Sequence, residues 1–373
     1  MKKNGKTQAG TQRWRCVSCS ASTTHCRQDR TRAAEFRWFI EYATGKKSLE
    51  EVAQEHGVSA RTLQRRFEPF WLIPVPHNAD TDRVYDQMLL DGTYTGANCL
   101  LIAMSPDYVV NWHWCKTEKS KSYRRLLEPI QPPLVAILDG GNGAYSAIPS
   151  SWQTTRIQRC VVHALRVVRR YTTSHPRTQA GKTLYKLALR LPKITTQDEA
   201  ITWITQLQEF GVLYKDYLNE KSYNPEANRR EFTHARVRSG YQSLVTLQRN
   251  NWLFPYIDPP ENGANTAHDQ WLKTTNCLEG LNAQIKLLLR LHRGASPEHQ
   301  RTIVDWWLYL HTQLPDDPEE IARQHDWGRA QLAKAQALTQ QEDQTNLDGK
   351  PASYDHGIDT DYIPGLQFRK HPI

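Results

Sequence analysis

Two short apolar runs in the chain end in the same dipeptide. Residues 88 to 92 read Met-Leu-Leu-Asp-Gly, and residues 134 to 141 read Leu-Val-Ala-Ile-Leu-Asp-Gly-Gly. A continuous apolar run this short, closed by glycine, is what a strand buried on both faces requires. Each run carries one carboxylate, Asp91 or Asp139, to the point where the strand would reach the surface. The neighbouring segments supply the rest of a sheet. Val84 to Thr93 reads as the first strand, and Cys99 to Met104 with Tyr108 to Cys115 as a hairpin about Ser105-Pro-Asp107. Arg156 to Val161 reads as a further short strand, and Lys119 to Pro129 and His163 to Tyr171 as helices. Three antiparallel strands followed by strands alternating with helices predict an α/β fold, a mixed sheet covered by helices.

From about residue 178 to 265 the strand pattern stops. Leu184, Leu187, Leu189, Ile201, Ile204, Leu207, Leu213 and Tyr217 recur at helical spacing and predict an all-helical insertion. Residues 275 to 292 then form one strongly patterned helix. Leu278, Leu281, Ile285 and Leu288 fall on one face, and Glu279, Asn282, Lys286 and Arg290 on another. Trp306, Trp307 and Leu310 continue a helical core. After Pro315 the chain is acidic and Gln-rich, with an end expected to be partly disordered.

The first 70 residues have a different character. Cys16-Val-Ser-Cys19 follows the basic-aromatic lead Gln12-Arg13-Trp14-Arg15, with His25 and Cys26 close behind. A Cys-x-x-Cys knuckle of this kind is half of a zinc ribbon, whose structural zinc takes four ligands. Either His25 and Cys26 complete the set, or the first knuckle lies upstream of Met1 or has been lost, or the segment is a disordered basic tail. A helix near Ala33 to Thr44 is broken at Gly45-Lys46-Lys47. Ser48 then caps a second helix with Glu51 as its capping-box partner, Gly57 takes a tight turn, and Ser59 caps a third. Ala53 is small where two helices must cross. This is the pattern of a helix-turn-helix, whose second helix enters the DNA major groove. Arg61, Thr62, Gln64, Arg65 and Arg66 on that helix suit phosphate and base-edge contacts; the competing reading is an ordinary helical hairpin. Pro69 to Pro76 reads as a stiff linker.

Charge agrees with a polyanionic partner. The 373 residues carry 48 Lys and Arg against 39 Asp and Glu, a net charge of +9, with the basic excess concentrated in the first 73 residues. No apolar run approaches the roughly 20 residues that span a bilayer, and the N-terminus has charge but no apolar stretch behind it, unlike a signal peptide. Seven scattered cysteines without an export signal predict a reducing cytosol rather than a disulfide framework.

Asp91, Asp139 and Glu279 together suggest chemistry that none of them suggests alone. Asp-Gly after a strand is a common turn, and a helical Glu is usually solvated. Two strand-end aspartates and a helical glutamate, however, are the parts of a divalent-metal site for in-line displacement at phosphorus. Two Mg²⁺ (or Mn²⁺) ions about 4 Å apart activate the attacking and leaving oxygens, and Mg²⁺ takes carboxylate oxygens while keeping several waters. Glu279 reaches the aspartates only if its helix packs across the sheet. Arg166, Arg169 and Arg170, on the helix after His163, would line a nucleic-acid channel, and Lys286 would contact a phosphate.

Here the chain resembles a known family, the DDE transposases of the bacterial Mutator-type insertion-sequence group. The resemblance covers about residues 1 to 312. It rests on Leu-Leu-Asp91-Gly-Thr, Ala-Ile-Leu-Asp139-Gly, Arg-Cys160-Val-Val-His163 and Thr-Thr-Asn276-Cys-Leu-Glu279-Gly-Leu-Asn282, with Lys286 two turns beyond the glutamate. It implies an RNase H-like catalytic core interrupted by the insertion and an N-terminal DNA-binding region. The resulting organisation is a zinc-ribbon remnant or basic tail (1–27), a helix-turn-helix domain (28–73), and the first part of the core (80–172). A helical insertion (173–267), the second part of the core with the Glu279 helix (268–312), and an acidic tail (313–373) follow. It further implies binding of double-stranded DNA, both terminal inverted repeats and target, by a homo-oligomer in the cytoplasm at the nucleoid. Asp91, Asp139 and Glu279 would hold Mg²⁺, His163 would orient or protonate near the phosphate, Cys160 would pack, and Cys16 and Cys19 would bind Zn²⁺ if the site is complete. The departure from the group is the missing first knuckle. Two other readings stand beside this one: a catalytically inactive DNA-binding derivative acting as a repressor, and a metal-dependent nuclease of similar core.

Overall fold

The structure, a computed structural model, describes residues 1–8, 10–24, 28–77, 80–96, 98–260 and 271–348. The chain divides into two compact units. One holds Met1–Val75, Leu291–Trp307 and the chain from Pro315 onward; the other holds Pro76–Arg290 and Leu308–Leu314.

The first unit opens with a small antiparallel sheet, β1 (Lys2–Lys6), β2 (Gln12–Arg15) and β3 (Ser22–Thr24), in the order β1-β2-β3. No residue of these strands is fully buried, so the sheet has no apolar core of its own. Three helices follow, α1 (Gln28–Thr44), α2 (Leu49–Glu55) and α3 (Ala60–Phe67). The expected caps are present. Ser48 Oγ accepts from Glu51 N at 3.2 Å while Glu51 Oε2 accepts from Ser48 N at 2.7 Å, and Ser59 Oγ accepts from Thr62 N at 3.2 Å. The turn between α2 and α3 needs a left-handed residue, and Gly57 has φ of +64°. Val52, Ala53, Leu63 and Phe67 are buried.

The second unit is built on a five-stranded mixed sheet of order β6-β5-β4-β7-β8. Its strands are β4 (Gln87–Thr95), β5 (Asn98–Met104), β6 (Val109–Cys115), β7 (Val135–Leu138) and β8 (Arg156–Arg159). The first three pair antiparallel, and β4–β7 and β7–β8 pair parallel. Helices α4 (Ser120–Leu127) and α5 (Asn142–Ser151) cover one face. Alternate residues Met88 and Leu90, Leu101 and Ala103, and Ala136 and Leu138 pack there against Tyr123, Leu126, Leu127 and Ile148. The sequence reads the first strand as Val84 to Thr93, with Asp91 where it reaches the surface; the observed β4 starts at Gln87 and runs on to Thr95. The cause is β5, which continues to pair along it, Asp91 opposite Ile102 and Thr95 opposite Asn98. Against β7 the expectation holds, because the parallel register stops at Leu90 opposite Leu138.

After α6 (Val161–Thr172) come α7 (Gln179–Arg190), α8 (Gln197–Leu213) and α9 (Lys215–Asn219). Val168, Leu184, Leu187, Trp203, Leu207, Phe210 and Leu244 form a second apolar core. The segment is not all-helical. β9 (Lys221–Asn224) and β10 (Arg229–Phe232) form an antiparallel hairpin before α10 (Ala235–Arg249). None of its residues is buried, so it carries no apolar alternation to reveal it. Its turn chemistry was the available cue: Asn224 Oδ1 accepts from Glu226 N at 3.0 Å, and Asn228 takes φ of +48°. The unit's last long helix is α11 (Asn276–Leu291).

The remaining helices are α12 (Pro297–Tyr309), α13 (Pro318–Gln324) and α14 (Arg329–Asp348). Within the first unit Phe36 packs edge-on to Trp306 and Trp327, with ring centroids 5.8 and 6.1 Å away. Trp71 stacks on His299 at 4.0 Å, and Arg37 pairs with Glu319 at 2.6 Å. The boundary expected at residue 312 therefore does not coincide with the division between units. Phe36 and Phe39 of α1 pack on Phe67, Phe70 and Trp71 within residues 28–73, and Phe36 also packs on Trp306 and Trp327 of the late segments. Residues 318–348, expected within an acidic tail, are helical; residues 349–373 lie outside the described residues. No described helix is long and apolar enough to cross a membrane.

Candidate active site

The register of the central strands brings Asp91 and Asp139 together. Leu90 and Leu138 are parallel partners, so the residues that follow them stand side by side, on the order of 5 Å apart at strand spacing. Alternation along β4 turns the Asp91 side chain away from the face that Leu90 presents to α4 and α5; Asp139 lies just beyond the end of β7. Asp91 is half-buried and its carboxyl is pushed up to about 7, first by burial and then by the charge of Asp139, with Glu118 adding to it; the Gly92 N–H and His163 pull the other way. Asp91 Oδ1 accepts from Gly92 N at 2.9 Å, and Asp139 Oδ1 accepts from Gly141 N at 2.9 Å.

The glycines after each aspartate have separate causes. A Cβ on Gly92 would overlap the carboxylate of Glu118. A Cβ on Gly140 would overlap the guanidinium of Arg159, and Gly140 also has φ of +116°. Arg159 is 7% exposed, and its Nη1 has no hydrogen-bond partner. Glu118 precedes α4 and was not anticipated from the sequence, where it is one acid in a charged loop. Burial, followed by the charge of Asp139, pushes its carboxyl up.

Helix α11 reaches the strand ends through Asn282. Its Nδ2 donates to Asp91 Oδ2 at 2.8 Å. Asn282 was expected on a polar face, yet it is 7% exposed and lies in the buried stripe with Leu278, Leu281, Ile285 and Leu288. The segment leading into α11 is held on β4 by a reciprocal pair. Gln87 Nε2 donates to Leu272 O at 2.9 Å, and Leu272 N donates to Gln87 Oε1 at 2.8 Å. Glu279, one turn before Asn282, is half-buried. Its oxygens both accept from Arg166 Nη1 at 3.3 Å, and Oε1 lies 3.6 Å from His163 Nδ1. The oxygens of Asp91, Asp139 and Glu279 are therefore not all within 4.8 Å of one another, a closeness met among the described residues by Glu41, Glu55 and His56. Lys47 bridges those two glutamates at 2.6 Å each and supplies their counter-charge.

Cys160 caps α6 and His163 lies three residues on, on the same face. Cys160 is fully buried and its N donates to Leu138 O at 2.8 Å. Burial pushes the thiol up, but His163 and Thr275 outweigh it and bring it down to about 7. His163 is raised, first by Cys160 and despite its own burial, with Asp139 and Glu279 adding to it. Arg166 Nη1 also lies 3.2 Å from His163 Nε2. An arginine only donates, so in the neutral ring this contact makes Nε2 the acceptor; His163 Nδ1 is buried and has no hydrogen-bond partner.

The other sequence-predicted residues are spread along the chain. Arg166, Arg169 and Lys286 are exposed, and Arg169 Nε donates to Ser174 Oγ at 3.0 Å. In the first unit Arg61, Gln64 and Arg65 are exposed on α3, whereas Thr62 is engaged with the cap, its Oγ1 2.9 Å from Ser59 Oγ. Arg66 is pinned to buried Glu35 at 3.4 Å. Cys16 and Cys19 lie in the turn between β2 and β3, closed by Cys16 N donating to Ala21 O at 2.8 Å. The Ser18 hydroxyl and the Cys19 N–H bring the Cys16 thiol down to about 6. His25 and Cys26, the other expected ligands, lie outside the described residues.

No protein-family profile matches the chain. A protein of Corynebacterium diphtheriae named probable transposase for insertion sequence element is 22% identical over 183 residues, which cover 48% of this chain and 43% of that protein. The chain thus spans less than half the length of the relative it matches.

Proposed function

We propose that the chain is a DNA transposase of the DDE class with an RNase H-like core, acting on the ends of an insertion sequence. The observation that carries this reading is the hydrogen bond from Asn282 to Asp91, which ties the Glu279 helix to the paired aspartates. The similarity to the corynebacterial protein supports the same reading. The donor set fits a hard divalent cation such as Mg²⁺ or Mn²⁺: carboxylate oxygens crowded on each other, with the acceptor Oδ1 of Asn282 beside them lacking a partner. When bound, the ion supplies the positive charge that in-line displacement at phosphorus requires.

The chain's own residues then divide the work. Asp91 and Asp139 hold the ion, and Asn282 fixes the orientation of Asp91. Glu279 would supply a further ligand if released from Arg166 and His163; Arg166 would then face the phosphate, with His163 placed to hold a proton near it. Attack by a water oxygen on the phosphorus at the element end breaks the bond to a 3′-oxygen, which leaves as a 3′-hydroxyl; attack by that hydroxyl on a target phosphodiester then joins the strands, and the target's own 3′-oxygen leaves and takes up the proton. The capped helices α2 and α3 form a helix-turn-helix, with Arg61, Gln64 and Arg65 toward the terminal repeats. The coreless sheet β1–β3 suits a small metal-dependent ribbon in which Cys16 and Cys19 bind zinc. The test is incubation with the flanking element ends and Mg²⁺, with products mapped by strand. Asp91→Asn and Asp139→Asn should bind the ends as the parent does and yield no cleavage. Mg²⁺-dependent cleavage by either variant would refute the assignment.

A further inference from the structure

Resting on that reading of Asp91 and Asp139 as metal ligands, we propose that Glu118 is a third ligand of the same ion site, present before Glu279 swings in. Its position supports this. One carboxylate oxygen fills the space of the missing Gly92 side chain. The other lies 3.6 Å from where a Cβ on Gly141 would sit, the same distance as Asp139 Oδ1. The two oxygens are thus no more than twice that distance apart; like the set with Glu279, the oxygens of Asp91, Asp139 and Glu118 are not all within 4.8 Å of one another, so a bound ion would draw them together. Glu118 is also fixed at its backbone, since its carbonyl lies against Gly143 Cα at the start of α5, where a Cβ would come within 2.5 Å.

Charge balance separates the four acids of the site. Glu279 is already matched by Arg166. Among the described residues Asp91, Asp139 and Glu118 have no ion-pair partner, and the thiol of Cys99 donates to Glu118 Oε1 at 3.8 Å. Three half-buried carboxylates without an ion-pair partner, with His163 acting on Asp91 and Asp139 only from beyond ion-pair distance, call for a cation between them. Asn282 Oδ1 is a second, independent indication: its residue is more than nine-tenths buried, its Nδ2 is bound to Asp91, and this oxygen has no partner. Glycine at 92 then has a role beyond backbone freedom. It keeps open the space through which Glu118 approaches the aspartates.

The experiment measures Mn²⁺ alone binding to the full chain without DNA, by electron paramagnetic resonance of the free ion. Glu118→Gln, which preserves volume, should weaken binding by about tenfold or more, in the range that metal-site partners contribute. Gly92→Ala should also weaken it severalfold, because the new methyl displaces the Glu118 carboxylate without removing it; this variant keeps the inference testable if the first does not fold. Asp91→Asn is the control that separates the two levels. If it loses binding while Glu118→Gln and Gly92→Ala bind as the parent does, Glu118 is not a ligand and the aspartate site stands. If the parent does not bind Mn²⁺, or Asp91→Asn binds unchanged, the metal reading of the site fails and this inference with it.

Discussion

Replacing Asp91 by Asn should stabilise the metal-free second unit at neutral pH while removing its response to divalent ions. The folded state raises the Asp91 carboxyl from 3.8 to about 7. Roughly three units at about 1.4 kcal/mol each put a ceiling of roughly 4 kcal/mol on the cost of the buried charge. The direction follows from the raised value. Below about pH 4 the group is protonated in both folded and unfolded chains, and nothing is lost. Between pH 4 and 7 the unfolded chain ionises first, so stability falls as pH rises; above pH 7 the loss is constant. Asparagine does not titrate, so the difference between variant and parent should grow from near zero at pH 4 to a plateau above pH 7. The amide fits the site. Its oxygen can accept from Gly92 N, and a flipped Asn282 can offer its unpaired Oδ1 to the new Nδ2. Because Asp139 and Glu118 relax around the charge, about 2 kcal/mol of the ceiling should be realised. Hydrogen exchange of the β4 and β7 amides in chelator, corrected for the intrinsic pH dependence of exchange, reads this unit by itself. Added Mg²⁺ should then stabilise only the parent, by about 2.7 kcal/mol at a hundredfold excess over its dissociation constant. A variant less stable than the parent at pH 8, or a difference independent of pH, would show that Asp91 is not an unfavourably buried charge.

Two further outcomes concern the first unit. Arg65→Ala should lower the salt dependence of DNA binding by about one counterion, whereas Arg66→Ala should leave that slope unchanged and cost no more than about 1 kcal/mol of stability, because Arg32 still pairs with buried Glu35 at 3.4 Å; binding titrations across salt and thermal melts separate them. Gly328→Ala should lower the melting temperature of the unit by several degrees, since Gly328 has φ of +75° and a Cβ would overlap the carbonyl of Pro69; an unchanged melt would exclude the close packing of that turn.

Much of the second unit was legible because its strands are buried on both faces, and burial of that kind leaves continuous apolar runs. Leu134–Leu138 is such a run, and the observed β7 differs from it by one residue. The caps at Ser48 and Ser59 were legible for another reason: capping is local, and its spacing is written in the sequence. The hairpin β9–β10 was not legible because it is solvated on both sides. A helical core at Trp306 and Trp307 was legible, but its grouping with the first unit was not, because the partners Phe36 and Pro69 lie some 250 residues or more from the late helices, and nothing local marks a pairing across that distance.

The site divides along the same line. Asp91 and Asp139 stand out because each interrupts an apolar run, and Glu279 because its helix is amphipathic. Asn282 sits on that helix too, but its burial depends on a hydrogen bond to a residue 191 positions earlier, and a helical wheel assigns it to the wrong face. Glu118 has no periodic context at all. Its only trace in the sequence is indirect, in the glycine that follows Asp91. Read alone, Gly92 suggested a turn, but β4 continues through it, so no turn is there to require it. The space it leaves is filled by Glu118. The two Asp-Gly pairs look alike for different reasons: Gly140 yields to a positive φ and the Arg159 guanidinium, Gly92 to a carboxylate. That difference makes Gly92, rather than Gly140, the position at which a single methyl group tests how many acids the site contains.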